Sequence, residues 1–263
     1  MKSYVLMFTV FYFFQTQVLS AQLSILSTET RISLIKTVAS REDLTIKEKV
    51  EKLLLIDTYN AQEENEKTET FKELSPKIDD ILLQTVKENY NTEIRSMEFL
   101  ITTRAICALG KLRSKKAIPL IRQILKEYKH KNPENVHHLK NRAIDAIMEI
   151  DLENNKDIIE EVLNPKMNSD DMLRYHIAEF IIKYSSSTLS KDLLHKALKE
   201  ETDDGVILKI DESLSNIDDN YANSKEREKF LEKKIKTAKH KVYKEKYKEK
   251  ISKIKELEQK KKK

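Results

Sequence analysis

The nine residues Arg104-Ala105-Ile106-Cys107-Ala108-Leu109-Gly110-Lys111-Leu112 return 38 positions later as Arg142-Ala143-Ile144-Asp145-Ala146-Ile147-Met148-Glu149-Ile150. The Arg, both Ala positions and the aliphatic positions are kept. The same shift carries Leu120, Ile121, Ile124 and Leu125 onto Ile158, Ile159, Val162 and Leu163. One offset thus aligns two successive stretches with helical spacing of apolar residues. A weaker third copy follows at Arg174-Tyr175-His176-Ile177-Ala178 and then at Leu193, Leu194, Ala197 and Leu198, with Ser185-Ser186-Ser187 lengthening the loop between its halves. A degraded last copy starts at Val206 and runs through Leu214 to Ile217. A period in the thirties with two amphipathic helices per unit predicts an α-solenoid, because each pair exposes an apolar face that only a neighbouring pair can bury. The Ala at repeated positions lets the helices approach closely.

Composition agrees with an all-α chain. Two glycines and four prolines in 263 residues cannot supply the tight turns of a β-sandwich or the phosphate loop of a Rossmann fold. With 39% hydrophobic residues and no Trp, the core must be built from aliphatic ridges packed helix on helix. Residues 22–94 read as a helical segment that caps the N-terminal end of the array. Within it, Thr45-x-x-Glu48 is a capping box ahead of Val50, Leu53, Leu54 and Leu55. Ser75-Pro76 starts a helix whose face is Ile78, Ile81, Leu82, Val86 and Tyr90. Ala61 to Thr70 is polar throughout and is expected to be a frayed helix end or a long loop.

The motif Arg104-Ala-x-x-Ala-Leu-Gly-x-Leu112, followed by Ala117-Ile118-Pro119-Leu120, resembles a HEAT repeat of the HEAT-like type found in phycobilisome-lyase-related proteins. The likeness is good over 95–128, fair over 139–164, and fades after Asn164, where the Gly and Pro are missing. What the resemblance implies is an α-solenoid over 95–220 with a concave binding face and a scaffold or adaptor role. It does not imply lyase activity. In that register the concave face belongs to the second helices, and its candidate protein-binding residues are Arg122, Lys126, Tyr128, Glu160, Glu161, Lys196 and Lys199. Arg104, Arg142 and Arg174 share one repeat position. They read first as an internal ladder bonded to carbonyls or acids of adjacent repeats, and second as an exposed basic row.

The chain begins differently. Lys2, the apolar run Tyr4 to Phe14 and the small residues around Ser20-Ala21 have the three-part layout of a secretory signal peptide covering 1–21, cleaved near Ala21. The run is too short for the roughly 20 residues that span a bilayer. An uncleaved anchor and a buried helix are the other two readings. Export places the mature chain in an extracytoplasmic compartment, and Lys-, Ile- and Asn-rich usage suits a bacterial periplasm. Cys107 is the only cysteine, so no intrachain disulfide forms; it sits in an apolar helix as a small core residue.

No catalytic motif is present: no Gly-rich phosphate loop, no G-x-S-x-G, no H-E-x-x-H and no C-x-x-C. His130, His137 and His138, with Glu134 between them, flank Asn132-Pro133 and read as a solvated turn rather than a metal site. Paired acids such as Asp79-Asp80, Asp170-Asp171, Asp203-Asp204 and Asp218-Asp219 sit at helix starts or loops, where carboxylates favour the helix dipole. No catalytic residue, cofactor or metal is therefore assigned.

Residues 221–263 change character. Ser224 to Lys263 holds 18 Lys or Arg against 7 Glu, a net of +11 in a chain whose total is +5. Leu231, Ile235, Ala238, Val242, Tyr247, Ile251 and Ile254 form a thin apolar stripe, close to a heptad with one slip. This predicts one long charged helix ending in a disordered tail at Lys260 to Lys263. Lys239, Lys241, Tyr243, Lys244, Tyr247 and Lys248 are its candidate partner-binding residues. The partner would be an acidic protein or an anionic membrane surface; nucleic acid does not fit an exported chain. Two other readings stay open: a membrane-anchored envelope assembly protein, and, without export, a cytosolic nucleic-acid-binding solenoid.

Overall fold

The computed structural model describes residues 26–261 apart from 91, 93–95, 130–132, 185–186 and 223, so the expected signal segment lies outside the described residues. Among the described residues the chain is all-α, with no strand. It forms two compact units, one through Leu120 and one from Ile121.

The first unit contains α1 (Thr28–Ser40), α2 (Ile46–Leu55), α3 (Ala61–Leu74), α4 (Ile78–Asn89) and α5 (Met97–Lys111). Side chains set the helix starts. Ser27, Asn60 and Ser96 each accept a bond from an orphan N–H of the first turn, and Thr45 and Glu48 form the expected capping box. Helix α4 packs along α5, and α1 along α3, over a core that includes Ile35, Leu53, Leu54, Phe71, Leu82, Val86, Ile106 and Leu109.

Ala61 to Thr70 is not a loop: it is the body of α3. Its inward residues are Glu63, Lys67, Thr70 and Phe71, at helical spacing but almost all polar. Glu63 is fully buried against Arg31 of α1 at 2.8 Å, and Lys67 donates to the Ile56 carbonyl at 2.7 Å. Hydropathy could not reveal a helix whose buried stripe is charged.

The second unit contains α6 (Ile118–Glu127) from Ile121, α7 (Pro133–Asp151), α8 (Lys156–Leu163), α9 (Asp171–Phe180), α10 (Ser187–Glu200), α11 (Asp204–Ile217), the single turn α12 (Asp219–Ala222), α13 (Lys225–Thr237) and α14 (Lys241–Lys261). The second and third sequence copies fall on α7–α8 and α9–α10. Ala143, Ala146 and Ala178 are buried, as close helix approach requires. Bonds between consecutive copies keep the repeat spacing. Arg122 meets Asp157 at 2.9 Å, Lys196 meets Glu160 at 2.5 Å, and Ser213 donates to the Ala178 carbonyl at 2.6 Å, at separations of 35, 36 and 35 residues.

The expected single C-terminal helix is two helices. Helix α13 ends at Thr237, and α14 starts at Lys241 and runs to Lys261, through part of the stretch expected to be disordered. Lys255, late in α14, reaches Glu228, early in α13, at 3.1 Å, so the two run antiparallel as a hairpin. The heptad slip between Val242 and Tyr247 lies just past the turn. Leu231, Ala238, Tyr247, Ile251 and Ile254 are buried, whereas Val242 of the same stripe is 56% exposed.

Candidate functional site

Half of the charged candidates on the second-helix face are paired. Arg122 is paired with Asp157, and Lys196 with Glu160. Lys126, Glu161 and Lys199 are exposed. Tyr128 is buried at 3% exposure and cannot serve as a surface contact: it follows α6 as the next apolar position after Ile121, Ile124 and Leu125 and packs inward with them. This corrects the expectation of Tyr128 as a binding residue.

Two of the three repeat-position arginines bond inward, but to the N-terminal segment and to the loops around their own copy rather than to an adjacent repeat. Arg104 donates to the Leu54 carbonyl at 2.8 Å and also bonds Asp57. Arg174 donates to the Asn168 carbonyl at 2.7 Å and clasps buried Glu201 through Nε and Nη2, at 2.7 and 3.1 Å. Arg142 instead has its side chain about half exposed, 3.7 Å from Asp145. Two further arginines use the same device outside the repeat register. Arg31 meets Glu63, and Arg227 meets Asp211 while donating to the Ala222 carbonyl at 2.9 Å. In these, a planar fork bonds a carboxylate and a backbone carbonyl at once.

Asp211 of α11 is the anchor of the C-terminal hairpin. It has no exposed surface and accepts from Arg227 Nε and Nη2 at 2.8 and 2.9 Å and from the Tyr221 hydroxyl at 3.0 Å, with Lys250 Nζ at 3.1 Å. Burial pushes its carboxyl up, but Arg227 and Lys250 outweigh that and hold it below the ordinary range. A second contact lies at the start of α11. The Tyr247 hydroxyl donates to Asp204 Oδ1 at 3.0 Å, and burial, then Asp204, raises its pKa. Gly205 leaves room for Tyr243: a Cβ there would lie 3.4 Å from the Tyr243 hydroxyl and 3.1 Å from Asp203 Oδ1. Tyr247 is therefore an internal anchor rather than a partner-binding residue, and Tyr243 is half-buried. Interleaved aromatics on a basic helix looked like a binding stripe because nothing in the sequence tells α11 where to dock.

The turn of the hairpin carries what is left of the charge. Lys229, Lys233, Lys236, Lys239 and Lys241 are exposed and make no ion pair among the described residues, whereas Lys248 is paired with Glu245 at 2.9 Å. Lys244 is half-buried in the first turn of α14. That first turn has no acidic residue, although lysines there oppose the helix dipole and most other helices of the chain start with an acid. Lys229, Lys233 and Lys236, on α13, were not singled out from the sequence. Two acids at the start of α11 are engaged elsewhere: Asp203 caps α11 through the Gly205 and Val206 N–H groups, and Asp204 holds Tyr247.

Among the described residues, no three His, Cys, Asp or Glu side chains converge as a metal would need, and no helix is long and apolar enough to cross a membrane. Pro133 begins α7, so Glu134, His137 and His138 lie on a helix rather than in a turn; His130 and Asn132 lie outside the described residues. Cys107 is half-buried rather than a core residue. Compared with known protein families, with characterised proteins and with solved structures, the chain shows no match.

Proposed function

We propose that the chain is a non-enzymatic binding protein of the scaffold or adaptor kind, which takes an acidic partner on the basic turn of its C-terminal hairpin. The observation that carries this is the set of unpaired lysines, Lys233, Lys236, Lys239 and Lys241, gathered where a helix starts without an acid. Local rules of helix design are broken mainly where function requires it. The HEAT-like repeats supply the frame, as an α-solenoid, and Lys126, Glu161 and Lys199 offer a protein partner a second surface on it. The N-terminal layout supports export to an extracytoplasmic compartment, where nucleic acid is a poor candidate.

Retention on immobilised poly-glutamate tests the reading. The full chain should elute at a higher salt concentration than the Lys239→Glu/Lys241→Glu variant, since exposed charges act over a Debye length of about 8 Å at physiological salt. Identical elution of the two would remove the hairpin turn as the binding surface.

A further inference from the structure

Among the described residues few large apolar side chains are markedly exposed, and three of them belong to the second unit. Met167 is 66% exposed, in the loop between α8 and α9; Met172, in the first turn of α9, is 55% exposed; Val242, in the first turn of α14, is 56% exposed. A chain of bonds ties these segments together. Asn168, next to Met167, gives its carbonyl to Arg174 of α9. Arg174 clasps Glu201, whose Oε1 also accepts the Thr202 and Asp203 N–H groups at 2.8 Å each. Asp203 caps α11 at Gly205, against which Tyr243, the neighbour of Val242, is packed. The loop at 164–170, the loop at 201–203 and the hairpin turn are thus tied in series, with the exposed Met167 and Met172 on the first segments and Val242, flanked in the chain by the unpaired Lys239 and Lys241, on the last.

We propose that these tied segments dock onto an anionic phospholipid surface, with Val242, Met167 and Met172 entering the headgroup layer and the lysines facing the phosphates. This rests on the reading of the hairpin turn as the basic binding surface. Isolated apolar tips beside lysines suit an interface that is polar outside and apolar beneath, where apolar area and attraction to anionic lipid add. A single-stranded nucleic acid would want exposed aromatic platforms, and the aromatics here are turned inward: Tyr247 has no exposed surface and Tyr243 is half-buried. An acidic protein surface would be satisfied by the lysines alone and would leave the apolar tips without a role.

The sequence contains no Trp, so a single introduced Trp reports its own surroundings. The full chain carrying Val242→Trp, and separately Met167→Trp, is mixed with vesicles of phosphatidylcholine alone or with added phosphatidylglycerol. Tyr59→Trp, at an exposed position in the other unit, is the control. The expected result is a blue shift and quenching by brominated lipid at 242 and 167, only with the anionic vesicles, and no change at 59. Adding Lys236→Gln, Lys239→Gln and Lys241→Gln to the Val242→Trp chain should weaken that signal on the order of a hundredfold, at about fivefold per lysine. No shift at 242 with anionic vesicles, while poly-glutamate retention persists, would overturn the lipid surface and leave the basic turn standing. Loss of both would overturn the two together.

Discussion

Asp211 shows how much one carboxylate can decide. It faces Arg227, Lys250 and the Tyr221 hydroxyl at once, so removing its charge strands two cations beside a buried site. Breaking such a pair costs about 3–5 kcal/mol. Asp211→Asn should lose stability at the low end of that range in urea denaturation and speed amide exchange over α13 and α14. Arg227→Met in the same chain should recover part of the loss, because the uncompensated cation goes with it. Lys67 makes an opposite kind of statement. Burial lowers its pKa from 10.5 to about 8. Between those values the unfolded chain holds the proton and the folded chain does not, so the stability of the first unit should rise with pH across that window. Denaturation midpoints at about pH 7.5 and about pH 9.5 check this, and the Lys67→Met chain should lose the difference.

Among the helices, starts were easier to read than ends. Thr45 with Glu48 is visible as a pattern because the capping chemistry is local. The end of α5 is not. There Arg113 takes a left-handed conformation, with φ of 52°, and donates to the Gly110 carbonyl at 2.8 Å while Ser114 donates to Leu109 at 3.0 Å. That is the Schellman arrangement, which Gly normally occupies. Arg113→Gly should stabilise the first unit by about 0.5–1 kcal/mol, the relief of left-handed strain exceeding the added freedom of the unfolded chain. A thermal shift upward checks it; a shift downward would mean that the exposed Arg113 side chain holds the turn by a contact of its own. Helix α3 was missed because its buried face is made of partners rather than of apolar residues. Glu63 needs Arg31 and Lys67 needs the Ile56 carbonyl, and both lie on other segments of the first unit.

Across the chain, charge is sorted by region, and acid should expose the consequence. Arg31 holds Glu63 at about 2 against an ordinary 4.5, with burial working the other way. The stability this contributes is present above pH 4.5 and is lost as pH falls towards 2. Asp211 adds to the same loss, its pKa also being depressed. Over that window the 44 acids protonate and leave 49 Lys and Arg unopposed, so self-repulsion grows as the pairs fail. Helical circular dichroism should therefore collapse between about pH 4.5 and pH 2, and the Glu63→Gln chain should start lower in stability with a shallower acid dependence. An acid transition of the same steepness in that variant would place the loss elsewhere.

The amino-acid order by itself determined the all-α class, the positions of α7 to α10 and the charge contrast between residues before and after Ser224. Helical periodicity, caps and composition act over a few residues and need no knowledge of distant neighbours. Tertiary structure decided the rest. It broke the basic C-terminal stretch into a hairpin, because Tyr247 docks on Asp204, 43 residues away, and Lys250 on Asp211, pairs that only folding joins. That docking turned Tyr247 from a surface candidate into a core residue, buried Tyr128 with the stripe it continues, and left Val242 and five lysines outside. Which side of a charged helix faces solvent is set by the partner it packs on, and that partner is not a local property of the helix.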